Sequence, residues 1–219
     1  MREATIDPPT KLPPNAPPHR DERSFARAKA VARAIVAEHH DRPSLVSEIA
    51  CELAAEIIEE LHRGGDDLNT VELSRRFCSS RTPIREALML LEKEGLVHIP
   101  PRRRPRVTSL AISEVRDIYR ARAALLELIA VDVARNRTDA EIATLRAPLG
   151  EMEKAARGGD LNGFVWANVD FYDRNTQLAD NRIVKRILDS LLLRTLRLRR
   201  LSLSQPRRMQ RSLDDNTRL

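Results

Sequence analysis

The apolar pattern of residues 44–110 changes period once, at Gly95, and that change leaves few folds open to the chain. Upstream the spacing is helical. Leu45, Ile49, Leu53, Ile57 and Leu61 recur every four residues in SLVSEIACELAAEIIEELHR (44–63), the stripe of an amphipathic helix that Gly64-Gly65 should end. Asn69 or Thr70 can cap a short helix, VELSRRF. Cys78-Ser79-Ser80 then makes a brief connection to a third helix, RTPIREALMLLEKEG, ended by Gly95. Downstream, LVHI and RVTSL are short strand-like runs on either side of the tip PPRRRP.

Helix, short helix, tight turn, helix and hairpin follow one another as in a winged helix-turn-helix, expected here over residues 44–109. On a wheel of the third helix, Ile84, Ala87, Leu88 and Leu91 form the packing face, and Arg81, Thr82, Arg85 and Met89 point outward. A helix fits the DNA major groove, where arginine pairs with guanine through two hydrogen bonds, and its first-turn amides suit a phosphate. Taken alone, Arg81 and Arg85 describe an ordinary solvated helix face; the basic wing beside them reverses that reading. From Arg75 to Arg106, nine Lys or Arg stand against three Glu, an excess of six that equals the formal charge of the whole chain. Such a concentration suits a polyanion.

The rest of the chain frames this unit. Aromatic residues make up 3% of the sequence, so Leu, Ala, Ile and Val must fill the cores, a mixture that favours helices. Residues 1–21 hold a cluster of prolines and read as an extended, mobile tail; an N-terminal helix and linker follow over 22–43. Residues 110–219 read as helices alone, at about 112–136, 138–157, 161–179 and 181–204, with a last one from near 207. Cys51 and Cys78 are too few for a disulfide framework, and neither a secretory leader nor a membrane span is evident. The expectation is a soluble cytoplasmic protein with no membrane partner. Cys78 reads as a small buried turn residue; a redox-sensing thiol is the alternative.

SRTPIREALMLLEKEGLV, from Ser80 to Val97, resembles the recognition-helix signature of GntR-type transcription regulators. The resemblance implies that Arg81, Thr82 and Arg85 contact operator DNA and that Arg102, Arg103, Arg104 and Arg106 reach the minor groove or backbone. Ser80 and Arg75 complete the candidate DNA-contacting set. The chain departs from the family at the turn, where Cys78-Ser79 stands in place of glycine and an apolar residue, and at the wing tip, which lacks the common glycine.

The second half resembles the ligand-sensing FCD domain of the FadR-like branch, carried by VRDIYRARAALLELIAVDVA (115–134) and by residues 164–182. The fold class implied is mainly α: an N-terminal winged helix-turn-helix followed by an all-α helical bundle that senses a ligand. The family domain continues through one more helix, so this chain is expected to lack it. By the same resemblance the protein is a homodimeric regulator, a repressor or an activator with repressor preferred, on inverted-repeat operators. A small organic acid would be its effector, with Arg122, Asn168, Tyr172 and Asn216 as the candidate effector residues. Asn168, Tyr172 and Asn216 fall where many relatives place metal ligands. All five histidines (19, 39, 40, 62 and 98) precede this domain, so no metal or other cofactor is expected. For Arg122 a surface position is the plain alternative, and for Tyr172 a core hydrogen bond.

The run 182–211 carries ten basic residues and one Asp, interleaved with leucines; it reads first as a solvated face, then as a site for an anionic effector, then as a second polyanion contact. Two other functions were weighed. A helical protein-interaction module would use the winged domain for a protein partner. An enzyme finds no support, for there is no Gly-rich phosphate loop and no nucleophile-histidine pairing at motif spacing.

Overall fold

A computed structural model describes residues 21–37, 44–205 and 207–218; the proline-rich tail, except for Asp21, and the linker expected before residue 44 lie outside the described residues. Helix α1 (Glu22–Ala37) carries the N-terminal periodicity. Phe25, Ala28, Ala32 and Val36 face helix α2 (Leu45–Ile58), whose Ser44 N-cap forms a capping box with Ser47. Helices α3 (Thr70–Arg76) and α4 (Arg81–Lys93) follow, and strands β1 (Val97–His98) and β2 (Arg106–Val107) pair antiparallel with Val97 opposite Val107.

The first stripe is shorter in the fold than on paper. Helix α2 ends at Ile58 instead of reaching Gly64, because Glu60 takes a left-handed conformation (φ 61°) and the Leu61 amide turns back to the Glu56 carbonyl. Ile49, Leu53 and Ile57 are buried while Leu45 is 53% exposed. The early exit has a purpose. It frees residues 64–68 to run beside β2, with the Leu68 amide donating to Pro105 and the Val107 amide to Asp66, which adds an edge to the two-stranded wing.

Seven helices follow among the described residues: α5 (Ile112–Asn136), α6 (Asp139–Ala143), α7 (Arg146–Gly158), α8 (Leu161–Ala179), α9 (Arg182–Ser190), α10 (Leu192–Leu203) and α11 (Arg208–Thr217). Two of the expected helices are each split in two. The run 138–157 breaks before Arg146 because Pro148 has no amide to donate and is tolerated only in a first turn. The run 181–204 breaks at Leu191, and the break turns two apolar faces in different directions. Val184 and Leu188 of α9 pack with Ile129 and Val133 of α5, whereas Leu193 and Leu196 of α10 enter the core of the winged unit.

The winged unit and the bundle thus share one core, to which Trp166 and Val169 of α8 also contribute. Polar ties reinforce it from α10. Arg194 donates from Nε to the Glu94 carbonyl (3.0 Å) at the end of α4, Arg197 to Glu60 and the Thr108 carbonyl, and Arg200 to Glu59. Gly95 makes the first tie possible: at φ +71°, any Cβ there would lie 2.1 Å from Arg194 Nε.

Gly95→Ala therefore combines backbone strain with a clash, whereas Gly65→Ala, at φ +91° with open space around it, carries strain alone. Urea unfolding should show about 1 kcal/mol lost for Gly65→Ala and about 2–3 kcal/mol for Gly95→Ala. Equal losses would mean that Arg194 does not hold the end of α4.

Candidate nucleic-acid interface and adjoining cavity

Recognition geometry begins with how α4 is held. Ile84, Ala87, Leu88 and Leu91 are fully buried, and Arg81, Thr82, Arg85 and Met89 are exposed, the division expected from the wheel. Ser80 occupies the N-cap without a side-chain cap bond, and no acidic residue lies in the first turn, so the positive end of α4 faces outward unneutralised. The preceding helix is fixed from below. Arg76 donates to both oxygens of Glu56, Nη1 at 2.9 Å, and His62 Nε2 lies 3.3 Å from the same carboxylate.

At the wing tip, the Arg103 amide closes a turn onto the Pro100 carbonyl. Pro101 sits second in this turn and Arg102 third, at φ 60°, so an arginine takes the left-handed place that glycine usually fills. Between α4 and the wing runs a groove of about 780 Å³ lined by Arg85, Met89, Arg102, Arg103, Arg104 and Arg106, with Asn69 and Thr70 at its other end. The fold therefore gathers Arg85 and the four wing arginines along one concave surface. Ser80, Arg81 and Thr82 stand exposed at the start of α4, and Arg75 is exposed on α3; none of these four lines the groove. Arg106 is tied through Nε to Asp67 at 2.6 Å, which aims it and offsets part of its charge.

Cys78 departs from expectation. It is exposed, not buried, because the turn places it in the left-handed region (φ 47°), with Sγ donating to the Arg75 carbonyl at 3.8 Å.

Within the bundle, Arg122 of α5 and Arg199 of α10 are both buried, and neither forms an ion pair with a carboxylate among the described residues. Burial lowers the Arg122 pKa; burial and the neighbouring Arg122 charge lower that of Arg199 to about 10, which leaves it protonated at neutral pH. Arg199 lies over the Tyr172 ring, 5.5 Å from its centre, and Tyr172 donates to Asn216 Oδ1 at 3.0 Å. Arg199 Nη1 and Asn216 Nδ2 are buried donors without a hydrogen-bond partner among the described residues. Arg122, Tyr172 and Arg199 line both of two cavities, of about 300 and 240 Å³, and Asn168 and Asn216 line the smaller. Arg122, Asn168, Tyr172 and Asn216 therefore converge, and Arg122 is a buried residue rather than a surface one.

Comparison with known proteins decides the family. Residues 45–107 match the description "Bacterial regulatory proteins, gntR family", and residues 117–219 match the FCD domain. The chain belongs to the GntR family. Its second half is an FCD domain. The chain is 33% identical over 126 residues to the uncharacterized HTH-type transcriptional regulator YdhC of Bacillus subtilis, across 57% of this chain and 56% of that protein. To the gluconate operon transcriptional repressor of Bacillus licheniformis it is 27% identical over 165 residues, 72% of this chain and 68% of the relative. The chain thus spans little more than half the length of the first relative and about two thirds of the second. A GntR transcriptional regulator from Rhodococcus sp. RHA1 has the same fold, with a TM-score of 0.64 at 17% identity over 79% of this chain and 83% of that one.

Arg199 escaped the sequence reading as an individual residue, submerged in the basic run 182–211. A signal was nevertheless present. Leu192, Leu196, Arg199 and Leu203 fall at helical spacing, so Arg199 interrupts an apolar stripe where a solvated arginine has no place.

The Glu56 anchor of this GntR fold is open to a pH test. Burial pushes its carboxyl up, but the bonds from His62 and Arg76 and the Arg76 charge outweigh burial and hold it below its ordinary value of 4.5. A depressed carboxylate contributes stability that is present above the unfolded value and lost as pH falls through the folded one. Glu56→Gln should therefore cost about 1–2 kcal/mol at pH 7 and less below about pH 4. Urea midpoints for the two proteins that keep the same separation from pH 7 to pH 3 would show that the pair holds nothing.

Proposed function

We propose that this GntR-family chain is a sequence-specific DNA-binding transcription regulator that represses as a homodimer on an inverted-repeat operator, its affinity set by a small carboxylate bound in the FCD domain. The observation that carries the DNA reading is the joining of Arg85 to the wing arginines along one groove beside the uncapped positive end of α4. In this reading the outward face of α4 enters the major groove, Arg81 and Arg85 reach base edges, and the wing arginines take phosphates. Symmetry supplies the dimer, since an inverted repeat asks for two recognition helices related by a twofold axis.

The buried arginine pair supports the effector reading. Two uncompensated guanidiniums cost free energy in a low-dielectric interior, and an anion between them relieves that cost while accepting from Arg199 Nη1 and Asn216 Nδ2. A carboxylate has the charge and the two oxygens for this, and the relative from Bacillus licheniformis is named for a gluconate operon. The polar lining of the smaller cavity, two carboxamides, two phenols, two serine hydroxyls, three guanidiniums and the single carboxylate of Asp215, does not fit the divalent metal that the FCD branch often carries: it brings net positive charge and no imidazole. No step of this function runs through a metal.

Binding to a fragment from upstream of its own gene tests the first part. Arg81→Ala and Arg85→Ala should each weaken operator binding by about 1–3 kcal/mol and relax sequence preference. Arg103→Ala should weaken all sequences alike and reduce the salt slope by about one. Operator specificity retained in both helix variants, or affinity indifferent to salt, would favour a protein-interaction role.

Arg199→Met tests the second part in two ways. Without ligand it should raise stability by about 1–3 kcal/mol, because it removes a buried, unpaired charge and keeps the volume. In a thermal-shift screen of organic acids it should abolish every shift seen with the wild type. A variant less stable than the wild type would mark Arg199 as structural.

A further inference from the structure

Helix α1 lies outside both matched ranges, 45–107 and 117–219, so family membership assigns it no part. Its position gives it one. One face belongs to the winged unit: Phe25, Ala28, Ala32 and Val36 are buried in that core, and Lys29–Glu52 and Arg33–Glu48, each at 2.6 Å, tie it along α2. The adjacent face, Arg27, Val31, Ala34 and Ile35, lines the 300 Å³ cavity that Arg122 and Arg199 line from the other side. Its first turn is fastened to the bundle as well. Trp166 Nε1 donates to Ser24 Oγ at 2.8 Å, Ser24 Oγ donates to Glu59 at 2.7 Å, and Arg27 pairs with Asp170 at 2.5 Å while lying 5.0 Å from the Trp166 ring centre.

We propose that α1 is a wall of the effector site and the element through which its occupancy reaches the DNA-recognition unit: a carboxylate held at Arg122 and Arg199 rests its apolar body on Val31, Ala34 and Ile35. This rests on the effector reading above. A ligand so placed touches a helix whose opposite side is part of the winged core, and a packed core transmits displacement because it has little free volume to absorb it. The ligand class follows from the lining. The other charged groups of the lining are paired with one another, Arg27 with Asp170 and Lys185 with Asp173 and Asp189, so charge unmatched among the described residues is met at Arg122 and Arg199; the path from there to α1 passes Leu126, Val169 and Leu192, which suits a carboxylate with a hydrocarbon portion.

Filling the cavity from the α1 side imitates that body without a ligand. Ala34 is exposed at the cavity rim, so Ala34→Phe, with Ala34→Leu as a milder second variant, adds bulk without breaking the core. Ala140→Phe, exposed on α6 and lining neither cavity, is the control. The full chain is read in two ways: operator affinity by fluorescence anisotropy, and amide exchange across 45–58 in the free protein. Both Ala34 variants should alter exchange in α2 and change operator affinity by about five-fold or more, while Ala140→Phe changes neither beyond about two-fold. Unchanged α2 exchange in both Ala34 variants, or an equal effect from Ala140→Phe, overturns the proposal. If the wild type binds no DNA, the regulator reading falls, while the exchange comparison still decides the role of α1.

Discussion

Four helices meet at the carboxylate of Glu59. It accepts from Ser24 of α1 and from Arg200 of α10, at 2.7 and 2.6 Å, while Arg200 also bonds Asn162 of α8, whose amide reaches back to Asp21. Burial raises the Glu59 carboxyl pKa in spite of the Ser24 bond and the Arg200 charge, so desolvation outweighs the partners it has found. Buried pairs of this kind add little net stability; what this one supplies is register, because none of the four helices can shift without stranding a polar group. The relation of the winged unit to the bundle depends on that constraint.

The same residue type serves two opposite purposes on either side of this junction. Around α4 and the wing the arginines are exposed and gathered in a groove, where they keep their hydration until a polyanion replaces it. In the bundle Arg122 and Arg199 are stripped of water and face each other, which suits one small anion of matching shape. Both sites concentrate positive charge, and they differ in the space they leave for a partner. Helix α10 lines the cavity through Arg199 and holds the C-terminal end of α4 through Arg194, which donates to the Glu94 and Lys93 carbonyls.

Much of the winged unit was legible beforehand. The faces of α4 followed from a 13-residue helix with Ile84, Ala87, Leu88 and Leu91 in phase, and the wing from Gly95 and the prolines at its tip. Other features depended on distant contacts. No residue type near Ile58 signals the end of α2; the chain turns at the left-handed Glu60, and residues 64–68 then pair with β2. Nothing local breaks the chain at Leu191 either, where two apolar faces find two different cores. Pro148 was a local signal, and a helix drawn through it was wrong for a local reason. Cys78 was assigned to the interior on residue type, but its left-handed turn sends the side chain out.

What the sequence determined by itself is the order of elements in the winged unit and the inward and outward faces of α4, because helical period, caps and breakers act over a few residues and the Ser80 to Val97 motif is contiguous. What only the tertiary structure decided is which charges are buried and what they face. Arg197, Arg199 and Arg200 are near neighbours on one helix, yet one is tied to Glu60, one is left unpaired in a cavity and one is locked to Glu59. Residues one step apart on a helix point about 100° apart, so their environments belong to the helices packed around them and are not written in the chain between them.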